Sequence, residues 1–176
     1  MYTVYILPTK CNLPSWPFVN QHDRRVKWAQ IGQEVGMRLH HIGVVVRDVL
    51  KSAEAYESLL GLRVVMGPKE DPIQRVNAIF LDLGWGEGVT LELLEPTRED
   101  SPISGFLRKG GGLHHLCFEV EDIEGTVAKM RDKGLRVVCE PVPACGFGGR
   151  RIAFVFPVEG ILVEFVEARS GEEKNR

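Results

Sequence analysis

The chain has 176 residues, 44% of them hydrophobic and 26% charged, with a formal net charge of −2. That length allows one domain with a sizeable core and falls short of two typical ones. The near-neutral balance gives no electrostatic ground for binding nucleic acid or an anionic membrane surface, and the apolar runs are far shorter than the roughly 20 residues of a membrane span.

Residues 1–36 stand apart from the rest. They hold Trp16, Trp28, Tyr2 and Tyr5 and show no sustained period of 2 or 3.6. MYTVYIL lacks a basic start and a cleavage signal, so it makes a poor signal peptide. Gln33-Glu34-Val35 can be encoded as CAGGAGGTN, which contains a bacterial ribosome-binding sequence, and Met37 follows after a short gap. The expectation is a domain over 37–170 that starts at Met37, with 1–36 a non-native or disordered leader.

From residue 39 the pattern is regular. Residues 39–46 are rich in Val and Ile and read as a strand. Asp48 suits the N-cap of a helix to about Leu59, and Gly61 its stop. Strands follow at 62–65, 76–83 and 89–95, with the polar GPKEDP and the turn GWGEG between them. A connector over 97–112 includes a short helix around ISGFLRK and ends in Gly110-Gly111-Gly112.

Then the order repeats. A strand at 113–120 precedes Asp122 as cap, a helix to about Lys133 and Gly134 as stop. GLRVV at 134–138 is identical to 61–65. The loop PVPACGFGG leads to strands at 151–156 and 161–167 with a turn at 158–160, and 171–176 is a polar tail expected to fray. The fold class expected is α+β. Two βαβββ modules, 39–96 and 113–168, form a pseudo-twofold pair of half-barrels around a shared cleft, since neither holds enough core to stand alone.

The alternation of a strand places His41 on one face with Leu39, Gly43 and Val45, and Glu92 on one face with Thr90 and Leu94. His115 and Glu164 occupy the matching places in the second module. A lone strand histidine is usually a hydrogen-bonded packing residue, but a glutamate inside LELLE or LVEF is costly without a partner. The same pair at equivalent places in both modules points to a shared site. Two imidazoles and two carboxylates suit Zn, Co, Ni, Mn or Fe. By alternation His40 and His114 are expected to point to the opposite face and to be structural.

The stretches HHIGVVVRD, LELLEP followed by SPISGFL, GGGLHHLCFEVEDI, GGRRIAFVFP and GILVEF resemble the vicinal oxygen chelate superfamily. That superfamily includes glyoxalase I, extradiol dioxygenases, drug-sequestering resistance proteins and methylmalonyl-CoA epimerase, and the match is nearest to the epimerase branch. The resemblance implies that His41, Glu92, His115 and Glu164 hold a divalent metal ion. It implies an isomerase that removes and returns the proton at carbon 2 of methylmalonyl-CoA or a similar 2-acyl-CoA through a metal-stabilised enolate. Glu164 is the catalytic acid/base expected. Some epimerases place a further Glu on the third strand, where this chain has Val76-Asn77-Ala78-Ile79. The Gly146–Arg151 loop resembles a substrate-covering loop, so Gly148, Gly149 and Arg150 are expected at the acyl-CoA substrate, the arginine facing CoA phosphates.

A glyoxalase I-type lactoylglutathione lyase uses a nearly identical ligand set and is the alternative. An extradiol dioxygenase would leave Glu92 surplus, and a non-enzymatic small-ligand module would have no use for the quartet. The resemblance also implies a homodimer. Cys11, Cys117, Cys139 and Cys145 show no CxxC pairing, as expected of free thiols in a reducing cytoplasm.

Overall fold

The computed structural model describes residues 36–84, 88–157 and 160–169. The expected leader (save Gly36) and the expected tail lie outside these residues, as do parts of the turns at 84–88 and 158–160. The elements run β1 (Arg38–Val45), α1 (Val49–Leu60), β2 (Arg63–Asp71), β3 (Val76–Asp82) and β4 (Thr90–Pro96). After the connector helix α2 (Ser104–Arg108) come β5 (Gly112–Val120), α3 (Ile123–Asp132), β6 (Arg136–Pro143), a 3-10 turn at Cys145–Phe147, β7 (Arg151–Phe156) and β8 (Leu162–Glu167). Among the described residues no helix is long and apolar enough to cross a membrane.

The helix signals act locally as the residues dictate. The Asp48 carboxylate accepts from the Lys51 N–H at 3.0 Å, and that of Asp122 accepts from the Gly125 N–H at 2.9 Å. Each satisfies an amide that the first turn of a helix leaves without a partner. Gly61 ends α1 in the left-handed region, φ +68°, and donates its N–H to the Glu57 carbonyl.

The strands form one open eight-stranded sheet in the order β2-β3-β4-β1-β5-β8-β7-β6. Each module supplies four neighbouring strands, with one parallel pair apiece, β1·β4 and β5·β8. The antiparallel pair β1·β5 joins them, so a pseudo-twofold axis passes between β1 and β5.

Two strands are longer than the sequence suggests. All of GPKEDP but its last proline, expected as a connection, belongs to β2, and the first part of PVPACGFGG belongs to β6. These are the two edges of the sheet, and each pairs with its neighbour through two register shifts, at 64/66 and 66/69 in β2 and at 137/139 and 139/142 in β6. Such bulges break the alternation by which a strand is recognised, and an edge tolerates the prolines.

Alternation elsewhere gives the sheet two apolar faces. Ile79, Leu81, Leu91 and Leu93 pack with Val49 and Ala53 of α1. Val45, Val76, Ala78, Phe80 and Leu94 face the other way, with Ile103. Cys117, Ile152, Val166 and Ala144 pack together in the second module. The candidate site lies on the face that carries Phe80 and Leu94.

Candidate functional site

The quartet occupies two adjacent cross-strand rows. One runs Phe80, Glu92, Gly43, His115 over β3, β4, β1 and β5. The other runs His41, Cys117, Glu164, Phe154 over β1, β5, β8 and β7. The pseudo-twofold exchanges them: each glutamate stands between a phenylalanine and a small residue, and the small residue separates it from a histidine. A Cβ on Gly43 would lie 2.1 Å from Cε1 of His115, so the ring rests where a side chain is missing.

The donor atoms therefore meet. His41 Nε2 lies 3.0 Å from His115 Nε2, 3.2 Å from a Glu92 oxygen and 3.0 Å from a Glu164 oxygen. His115 Nε2 lies 3.4 Å and 3.2 Å from the same two oxygens. All four side chains are buried, His41 completely. A cation bound at about 2.0–2.2 Å from each ligand separates neighbouring donors by about 3.0–3.5 Å, and two carboxylates match a dication in charge. The donor set and spacing thus fit a divalent metal.

The electrostatics agree. Burial disfavours charge on every member, yet the mutual attraction outweighs it. Glu92 and Glu164 raise the pKa of His41, and push that of His115 up to about 10. The two histidines in turn hold both glutamates below the usual carboxylate range. Cys117, buried beside Glu164, has its thiol pKa raised well above the ordinary value by burial and by the two carboxylates.

His40 and His114 do not point to the opposite face. The register of β1·β5 shifts across Leu39/His41 in β1 and, in β5, opposite Gly43/Val44. His40 and His114 are the extra residues of the two bulges, which re-aim a side chain and suspend the alternation. His40 Nδ1 lies 2.9 Å from His41 Nδ1, and His114 Nδ1 lies 3.0 Å from His115 Nδ1. Burial and the neighbouring histidine lower the pKa of each to about 4. Both are neutral near pH 7, and either can accept the Nδ1 proton of its neighbour, the outer-shell hydrogen bond that orients a ligating imidazole.

One cavity reaches the quartet, and a larger one shares part of its wall. The inner one, of about 40 Å³, is lined by Glu92, His115 and Glu164, with Ala78 and Phe80 on its wall. The outer one, of about 450 Å³, is lined by Gly148, Arg150, Lys69 and Arg169. Gly149 turns its N–H to the Ala144 carbonyl instead. Asp82, on the third strand, accepts from the Gly84 N–H at 2.8 Å and pairs with Arg63 at 3.2 Å. The sequence carried no signal for Lys69, which lies in a stretch read as a connection; Phe147 lies in the loop read as substrate-covering but was not singled out within it, and its ring joins the packing of both modules.

Comparison with known proteins places this geometry. A sequence model of the Glyoxalase/Bleomycin resistance protein/Dioxygenase superfamily matches residues 40–154. The chain is 38% identical over 131 residues to the ethylmalonyl-CoA/methylmalonyl-CoA epimerase of Cereibacter sphaeroides, covering 72% of this chain and 95% of that protein. It is 37% identical over 135 residues to the mitochondrial methylmalonyl-CoA epimerase of Homo sapiens, covering 74% of each. A Streptomyces coelicolor methylmalonyl-CoA epimerase solved in complex with 2-nitronate-propionyl-CoA superposes with a TM-score of 0.66 at 36% identity, over 76% of this chain and 98% of that one. The chain belongs to the glyoxalase/bleomycin resistance protein/dioxygenase superfamily, and within it is an epimerase-like enzyme similar to the methylmalonyl-CoA epimerases.

Proposed function

We propose that the chain epimerises methylmalonyl-CoA or a similar 2-acyl-CoA, with His41, Glu92, His115 and Glu164 holding a divalent cation. The observation that carries this reading is the convergence of two imidazoles and two carboxylates from four strands, each Nε2 within 3.0–3.4 Å of the other and of both carboxylates and all four donors within 4.8 Å. A divalent cation bound there supplies Lewis-acid stabilisation of the negative charge that develops on the substrate oxygens. Glu164 lines the inner cavity and its lowered pKa keeps it ionised, so it can take the proton from carbon 2. Lys69, Arg150 and Arg169 give the outer cavity a cationic lining suited to the phosphates of CoA.

Two further readings go with this one. The exposed Val64 on one edge strand and Val138 and Val142 on the other support a homodimer; light scattering at twice the chain mass is expected. The unpaired Cys117, Cys139 and Cys145 support a reducing, cytoplasmic setting.

The experiment is incubation in deuterium oxide with methylmalonyl-CoA, run beside the hemithioacetal of methylglyoxal and glutathione. Deuterium is expected at carbon 2 of the first and no product from the second, with Glu164→Gln abolishing the uptake. Product from the hemithioacetal alone would make the enzyme a lyase. Ligand binding by a metal-free protein without exchange would make it a binding module.

A further inference from the structure

The outer and inner cavities share part of their wall, formed by Lys69, Phe80, Gly146 and Phe147. Phe147 lines both the outer cavity of about 450 Å³ and the inner one of about 40 Å³. Its ring stacks on His41, with centroids 5.5 Å apart and planes 21° from parallel. Phe80 meets it edge-on at 5.7 Å and His40 at 5.5 Å. The guanidinium of Arg150 stands over it, 5.4 Å from the centroid.

The inner cavity, about 40 Å³, is less than a tenth the size of the outer one, about 450 Å³, so the room beside the quartet is the narrow part of the cleft. Phe147 covers His41 on the wall between the two cavities. The ring sits on a segment that can turn: Gly146 precedes it, and Gly148 and Gly149 follow in the left-handed region at φ +68° and +86°.

We propose that Phe147 is the gate of this site and the residue that sets the size of the group accepted on carbon 2. The proposal rests on the reading of the quartet as the cation site of an acyl-CoA epimerase. The ring leaves its stack on His41 before an acyl group reaches Glu164, and the space it vacates is the space the 2-substituent takes. While the ring is stacked, His41 is fully buried and the other three side chains nearly so, so movement of the ring opens the way to the cation.

That consequence is measurable without turnover. Full-length protein loaded with Co(II) is mixed with excess EDTA, and loss of the metal is followed by absorbance. Phe147→Ala is expected to release the ion at least about tenfold faster than the parent, and Phe147→Leu at an intermediate rate, because the lid motion limits access. Equilibrium affinity stays within about threefold, since no ligand is removed. In a second measurement, Phe147→Ala raises kcat/KM for 2-butylmalonyl-CoA relative to methylmalonyl-CoA by about tenfold or more, the discrimination a few methylenes give in a shaped pocket. Equal release rates in all three proteins would overturn the gate alone. A parent protein that takes up no stoichiometric cation would overturn the reading of the quartet, and the gate with it.

Discussion

At the residue scale, Gly43 is as necessary to the site as the four side chains that point into it. It faces His115 across the β1·β5 pair, and the imidazole occupies the place of its missing side chain. Gly43→Ala is expected to push His115 out of reach of Glu92 and to lower cation affinity by at least about tenfold, the scale of supporting-residue changes around metals. Overpacking should cost about 1–3 kcal/mol in stability. Isothermal titration with Zn and urea unfolding measure the two effects, and an affinity within twofold of the parent would sink the account. The pseudo-symmetric position holds Cys117, whose side chain is tolerated beside His41. The two modules thus solve the same packing problem with different small residues, which an inspection of the repeat does not announce.

Elements explain which of these residues could be read in advance. His41, Glu92, His115 and Glu164 were legible because period 2 held locally and the repeat doubled the signal. His40 and His114 were not, because a bulge is a property of a strand pair and neither strand encodes it alone. The same holds for β2 and β6, whose bulged ends read as loops. Helix ends were legible because a cap is a contact between residues three apart. Asp122→Ala, which removes the acceptor for the Gly125 N–H, is expected to cost about 1 kcal/mol in urea unfolding and to leave cation affinity unchanged. A parallel fall in affinity would show that α3 shapes the site as well as the fold.

For the whole molecule, the quartet is a store of stability that depends on pH and, on the proposed reading, on metal. In the metal-free protein the pKa of His115 stands at about 10, against an ordinary 6.5. Its contribution is complete below 6.5 and drains away as pH climbs toward 10. Glu92 and Glu164 are shifted downward from 4.5, so their contribution is complete above 4.5 and is lost as pH falls through their depressed values. His40 and His114, lowered to about 4, act the other way and cost stability as pH falls below 6.5, so the melting temperature in chelator is expected to be highest near pH 6.5 and to fall from pH 7 to 10. Cation loading raises it by mass action. Loading also removes the alkaline decline, because a ligating His115 has no second proton to lose. Identical alkaline slopes with and without metal, followed by scanning calorimetry, would refute this.

The sequence by itself determined the duplicated modules, the helix caps, the strands that alternate cleanly and the identity of the four converging side chains. All of these rest on spacings of a few residues or on one segment repeating another. Only the tertiary structure decided that the rows of β1 and β5 interlock, that His40 and His114 turn toward the site, and that Phe147 stands between two cavities. Those outcomes depend on how strands far apart in the chain register and where a ring finds room, and no local pattern carries that.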